Sequence, residues 1–332
     1  MTALTVPAQA GHDAYRPVPW RRMAWVIWRQ HRLTLAGLFI VLGGASAYLL
    51  ITGHQLRSGF PGGVSGEGPG LTLTAALFQV IAPLIGAFVG APVLAREFEA
   101  GTFRFTWTQG FGRARWTIAT LAPLALAVTV LTGGLGFLFS WCYEPQIGGK
   151  YGLSPLMSTT FDLRGVAFAG WTLAGFSIGV LAGVLIRRTV PAMFATLAAW
   201  SGLAVVTGVF LRRHYEAPLV TSTSNLPSTD WVMSQWWTQG GKPVSSSTIN
   251  QVLEKVGVQV NGSSQAVIKG SALGRTNMGP TQYLLHHGFT QWMSYQPASR
   301  FWPFQWIEGG WLFVLSLILM GTAAWLVHRR AV

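Results

Sequence analysis

Charge is what this sequence has least of: 10% of its 332 residues are Asp, Glu, Lys or Arg, against roughly 25% in soluble domains. A soluble chain of this length needs more charge to cover its surface, so a single water-soluble domain is excluded. Cysteine is nearly absent. Cys142 stands alone, which rules out an intramolecular disulfide and a cysteine-cluster metal site. The phosphate-binding loop of ATPases is missing too. That loop needs G-x-x-x-x-G-K-[S/T], so that backbone amides and a lysine can cradle phosphates. The Gly-Lys pairs here, Gly149-Lys150 and Gly241-Lys242, are followed by Tyr151 and Pro243 and lack the earlier glycine. Any ATP this protein depends on is therefore hydrolysed by another polypeptide. No nucleophile has a base partner in view, so no catalytic residue is expected. His286 and His287 are adjacent and point apart on a helix or strand, which leaves no metal site. The polar, proline-rich residues 1–20 show no secretory signal pattern.

What is abundant is apolar surface. Half of the residues are hydrophobic, with 40 glycines and 16 tryptophans, which suits helices that pack closely and aromatics at a lipid boundary. A helix needs about 20 apolar residues to cross a hydrocarbon core about 30 Å thick. Runs near 33–53, 71–95, 116–141, 165–186, 189–211 and 309–327 meet that test, and none contains Asp, Glu, Lys or Arg. Lipid offers backbone groups no partners, so each run is expected to be a helix. The fold class expected is an all-α membrane protein with about six transmembrane helices. Arg187-Arg188 separates the fourth from the fifth, and Pro191 suits the first turn of the fifth. Pro83 and Pro123 fall inside spans, where they free backbone carbonyls.

Arginine and lysine near span ends set orientation. With both termini cytoplasmic, the inner side holds Arg16, Arg21, Arg22, Arg29, Arg32, Arg96, Arg104, Arg113, Arg115, Arg187, Arg188, Arg329 and Arg330, and the short outer loops hold Arg57, Lys150 and Arg164. Arg212-Arg213, at the outer end of the fifth run, breaks the rule. The basic excess, +13 overall, thus faces anionic headgroups of the plasma membrane, and nucleic acid is not an expected partner.

Residues 17–32 mix Trp20, Trp25 and Trp28 with four arginines and His31. That composition suits either a helix lying in the inner interface or a flanking anchor for the first span. The large segment 213–305, expected outside, precedes the last helix, and its aromatics, with Trp302 and Trp306 closing the series, belong at headgroup level. Within it 248–256 has helical spacing, and short helices dipping into the outer leaflet are expected.

Directly after the second run, residues 96–102 read R-E-F-E-A-G-T. Arg-Glu-x-Glu-x-Gly-Thr after an apolar span, continuing to Gly112-Arg113 before the third run, resembles the cytoplasmic loop of type-2 ABC exporter permeases. The phrases G-A-F-V-G-A-P-V-L-A-R-E (86–97), T-W-T-Q-G-F-G-R (106–113) and Y-Q-P-A-S-R-F-W (295–302) resemble permeases of high-GC Gram-positive bacteria. The resemblance implies a membrane-spanning subunit of an ATP-driven exporter that binds no cofactor itself, with ATP and Mg in a partner ABC ATPase present in two copies. It also implies a second permease copy, as a homodimer, and a coupling helix near 96–115 that docks on the ATPase. Carried over residue by residue, the coupling segment is Arg96, Glu97, Glu99, Gly101, Thr102, Phe103, Arg104, Phe105 and Trp107. The acids suit a helix start, and the aromatics offer apolar area to a partner groove.

Gly175, Gly179 and Gly183 recur every four residues in the fourth run, as do Gly86 and Gly90 in the second. Such rows admit close helix packing, within the subunit or at a dimer seam. Because the apolar runs are uncharged, they point to a hydrophobic or amphipathic cargo, and resistance export is one use that fits. They also argue against intramembrane ion coupling, which leaves a secondary transporter or a membrane scaffold acting without ATP as the alternative.

Overall fold

The computed structural model describes residues 20–59, 69–101, 113–147, 152–222, 226–261, 264–267, 273 and 279–329. Among them six helical stretches are long and apolar enough to cross a membrane: Arg32–Ser58, Gly70–Glu99, Trp116–Tyr143, Gly165–Ile186, Thr189–His214 and Ala298–Arg329. The membrane portion is thus all-α. The fourth span is its centre, with 72% of its apolar window buried against 11% for the fifth and 17% for the first. A helix apolar on every side belongs inside a bundle, and Phe168, Phe176, Ala174 and Val180 all sit there almost without exposure. Thr132 of the third span and Thr172 of the fourth join hydroxyls at 2.7 Å in this interior, so each buried hydroxyl has a partner.

Glycine decides how the second and fourth spans meet. A Cβ on Gly175 would lie 2.8 Å from the Ala82 carbonyl oxygen, and one on Gly183 would lie 2.6 Å from that of Ala91. The row Gly175, Gly179 and Gly183 is therefore occupied by the chain's own second span. It is not a free seam for another copy. Where the spans cross, the second is not a regular helix. It breaks at Val80 before Pro83, and Gly86–Gly90 forms a π-turn. Proline cannot donate to the carbonyl four residues back, and an extra residue per turn shifts the register.

The first helix runs unbroken from Trp20 to Gly59, 40 residues, or about 60 Å. No break separates an interfacial segment from the first span, so the residues before Arg32 extend it. Trp25 is exposed there with Arg29 over its ring; the side chains of Trp20 and Trp28 lie outside the description. Trp302 and Trp306 are exposed at the start of the last span.

Segment 213–305 corrects the expectation of membrane-dipping aromatic helices. It carries an antiparallel sheet in the order β1-β6-β2-β3, with β1 Leu219–Thr221, β2 Trp231–Gln239, β3 Lys242–Val244 and β6 Phe289–Gln296. A separate hairpin pairs β4 Val258–Asn261 with β5 Ser264–Val267. Helices occur at Ser246–Lys255, whose Ser245 side chain caps Thr248, and at Pro280–His286. Along 289–296, buried Phe289, Gln291 and Met293 alternate with half-buried Thr290 and Trp292. Burial with period two marks a strand; aromatic content alone suggested an interface.

Candidate functional site

Two constructions lie at opposite ends of the fourth span, about 33 Å apart for its 22 residues. At the end remote from the sheet, the second span finishes at Glu99, and Ala100 and Gly101 turn the chain, Gly101 with φ of 68°. A positive φ there suits glycine. Glu99 Oε2 accepts from the Thr189 amide at 3.2 Å and from its hydroxyl at 2.7 Å. Thr189 opens the fifth span, whose own N-cap position, Arg188, supplies no side-chain cap. The carboxylate thus satisfies an orphan donor at a foreign helix start, where negative charge is also favoured. Beside it lies a cavity of about 530 Å³, with Thr34, Arg96, Glu97 and Met193 on its walls. Thr102, Phe103, Arg104, Phe105 and Trp107 lie outside the described residues. Of the segment expected to couple, Arg96 and Glu97 line this cavity, Glu99 bonds to Thr189 and Gly101 makes the turn.

At the other end the structure overturns the expectation that spans hold no ion. The last helix starts at Phe301, not near 309, so it includes Glu308, which is fully buried. Arg212, the residue that broke the orientation rule, is also fully buried. It donates from Nε to Glu308 Oε2 at 3.0 Å and from Nη2 to Glu308 Oε1 at 2.8 Å. Two parallel bonds of this kind are the strongest carboxylate–guanidinium geometry. Trp171 Nε1 donates to Glu308 Oε1 at 2.8 Å and the Tyr215 hydroxyl to Oε2 at 3.0 Å, so each carboxylate oxygen takes two donors. Arg212 Nη2 also pairs with Asp162, and its guanidinium lies over the Phe161 ring.

Local structure explains how these groups meet. The fifth span ends in a π-turn, Thr207–Leu211, followed by a tight turn at Arg212–His214. The widened turn swings Arg212 inward to the last span while Arg213 stays exposed. Asp162 sits between the short helix Ser158–Phe161 and the fourth span. The fourth span also lacks a cap of its own; Gln305 supplies one, accepting from the Ala167 amide at 2.9 Å and donating to the Phe161 carbonyl at 3.0 Å. Arg300 pairs with Glu216, and Asp230 accepts from the Ala298 amide, which ties the sheet to the foot of the last span.

Burial raises the Asp162 carboxyl well above the usual carboxylate range; Arg212 opposes this and Glu308 reinforces it. Burial, then Glu308, likewise raises the Tyr215 phenol. Burial lowers the Arg164 guanidinium to about 10, against the pull of Glu144. Among the described residues, Asp162 is the single charged one on the wall of a second cavity, about 520 Å³, between the second, fourth and fifth spans. Sequence reasoning missed Asp162, Glu308 and the role of Arg212. The available signal was Arg212 itself, an arginine on the wrong side.

Among the described residues, no group of three or more His, Cys, Asp or Glu could hold a metal ion. No curated protein matches the chain. No solved structure matches it. The family model described as ABC-2 membrane transporter related matches residues 50–212, a range that opens in the first span and closes on Arg212. The sheet and the last span lie beyond it. That match, together with six spans built around a glycine-packed fourth helix, supports an ABC-2 type permease and a multi-pass protein of the plasma membrane.

Proposed function

We propose that the chain is the membrane-spanning subunit of an ATP-driven exporter, energised by a separate ATPase subunit that contacts the end of the second span. Two permease copies and two ATPase copies form the working unit, both termini are cytoplasmic, and the sheet-bearing segment faces outward. The cargo is hydrophobic or amphipathic. The observation that carries this reading is the bond from Glu99 to Thr189. Coupling needs the surface a partner pushes to be tied to a helix that moves. Glu99 ends the family-like segment, and Thr189 begins the fifth span, the least buried of the six. Force on residues 96–101 therefore reaches the fifth span through a charge-assisted bond, without crossing the packed interior.

A secondary transporter gains one argument from Glu308, an acid within a span, since such acids mark ion pathways. Both oxygens of Glu308 are already occupied by Arg212, Trp171 and Tyr215, which leaves no face for a transported ion. Co-expression with candidate ABC ATPase subunits from the same genome tests the proposal. The expected result is a complex holding two copies of each subunit, with ATP turnover that depends on the permease. Purification of an active permease free of any ATPase would contradict it.

A further inference from the structure

The cavity of about 520 Å³ has an unusual wall. Trp200 supplies half-buried aromatic surface, backed by the nearly buried Trp171 and Phe168, and Asp162 supplies the one charge among the described lining residues. Both indole N–H groups are already used inside the protein: Trp171 donates to Glu308 and Trp200 to the Trp171 carbonyl at 3.3 Å. What Trp200 can offer an occupant is ring surface, which attracts cations, while Trp171 holds that ring edge-on from behind. Electrostatics points the same way. The groups acting most strongly on Asp162 are Arg212, from the end of the fifth span, and Glu308, from the last span; Tyr215 faces Glu308. One guanidinium meets two carboxylates, so full ionisation leaves one negative charge without a counter-ion in a low-dielectric setting. Glu308 is sealed and Asp162 is not, with 29% of its side chain exposed. Burial favours the protonated form of Asp162, which relieves that excess charge.

We propose that this cavity binds an amphiphilic cation, with Asp162 as its charge partner and Trp200, backed by Trp171, as its aromatic wall. As the cation enters, the proton leaves to solvent, so the net charge of the site is conserved. This deepens the reading of the chain as a transport permease by naming a cargo class. It is tested on the permease alone, so loss of ATP coupling would not touch it, and its failure would leave ATP coupling standing.

The experiment is equilibrium binding of radiolabelled tetraphenylphosphonium to the full chain in phosphatidylcholine nanodiscs, with tetraphenylborate, the same shape with opposite charge, as competitor. Saturable binding is expected that tetraphenylborate does not displace and that strengthens as pH rises. Asp162→Asn should weaken it about tenfold or more, since a unit charge a few ångströms away contributes that much even in a partly screened site, and should flatten the pH dependence. Ser201→Trp, at an exposed position on the rim, narrows the opening without touching the ion cluster and should also weaken binding. If Asp162→Asn fails to fold, Ser201→Trp against Ser201→Ala decides: a loss with tryptophan alone supports the site, and unchanged binding overturns it. Equal displacement by tetraphenylborate, or undiminished binding to folded Asp162→Asn, would also overturn it and reduce the cavity to a lipid-filled crevice.

Discussion

Arg212 shows how one residue can contradict a sequence rule and be explained by its partners. A buried ion pair is retained only when its geometry is good and most of its remaining valences are filled; here Arg212, Trp171 and Tyr215 fill both oxygens of Glu308, Asp162 takes a second bond from Arg212 Nη2, and only Nη1 of the guanidinium is left without a partner among the described residues. Removing the guanidinium strands two carboxyls. Arg212→Met should cost about 3–5 kcal/mol, visible as a lower melting temperature of the detergent-purified protein; unchanged melting would show the cluster is dispensable. The pH sign follows from Asp162. Its carboxyl is raised in the folded state, so its contribution is complete below the ordinary carboxylate value and declines as pH climbs toward the raised one. Melting temperature should fall over that window in the wild type, and the slope should flatten in Asp162→Asn.

Spans are the elements the sequence displays most openly, because a 20-residue apolar run in lipid has one solution. The fourth run coincides with its helix, Gly165–Ile186, and the fifth begins at Thr189 as the Arg187-Arg188 break requires. The last helix was misjudged at one end. An apolar window stops at the first acid, whereas the helix continues through Glu308 because Arg212, 96 residues away, neutralises it. That pairing is tertiary and leaves no local trace. Neither did the π-turn that aims Arg212, nor the caps that Gln305 and Glu99 lend to other helices. The sheet was not legible either: inward Gln291 is polar and its outward neighbour Trp292 is apolar, so the two faces of Phe289–Gln296 are set by pairing with Trp231–Gln239. Of the candidate coupling site, the motif marked the place, but the bond from Glu99 to Thr189 could come only from the fold. Two predictions belong here. Gly183→Ala would bring a methyl to 2.6 Å from the Ala91 carbonyl, and such overpacking should cost about 1–3 kcal/mol, read as reduced yield and melting temperature. Glu99→Ala should speed amide exchange at Thr189 and Val190 while leaving the last span protected; equal exchange would deny the cap.

At the scale of the molecule, Glu99 holds Thr189 at one end of the fifth span and Arg212 holds Glu308 at the other. Sidedness is open to direct labelling. In a Cys142→Ser background, Ser246→Cys should react with an impermeant thiol reagent in whole cells and Thr102→Cys should not; the reverse would invert the topology. The central claim is that ATP binding in a partner subunit moves the fifth span through Glu99. Its most direct measurement is the distance between spin labels at Val209 and Val314, both exposed, in the assembled complex diluted with unlabelled permease. In the wild type the distance should change between the nucleotide-free and ATP-bound states, and in Glu99→Ala it should not, although the ATPase still hydrolyses ATP. A distance that does not respond to ATP in the wild type, or that shifts equally in Glu99→Ala, would contradict the account.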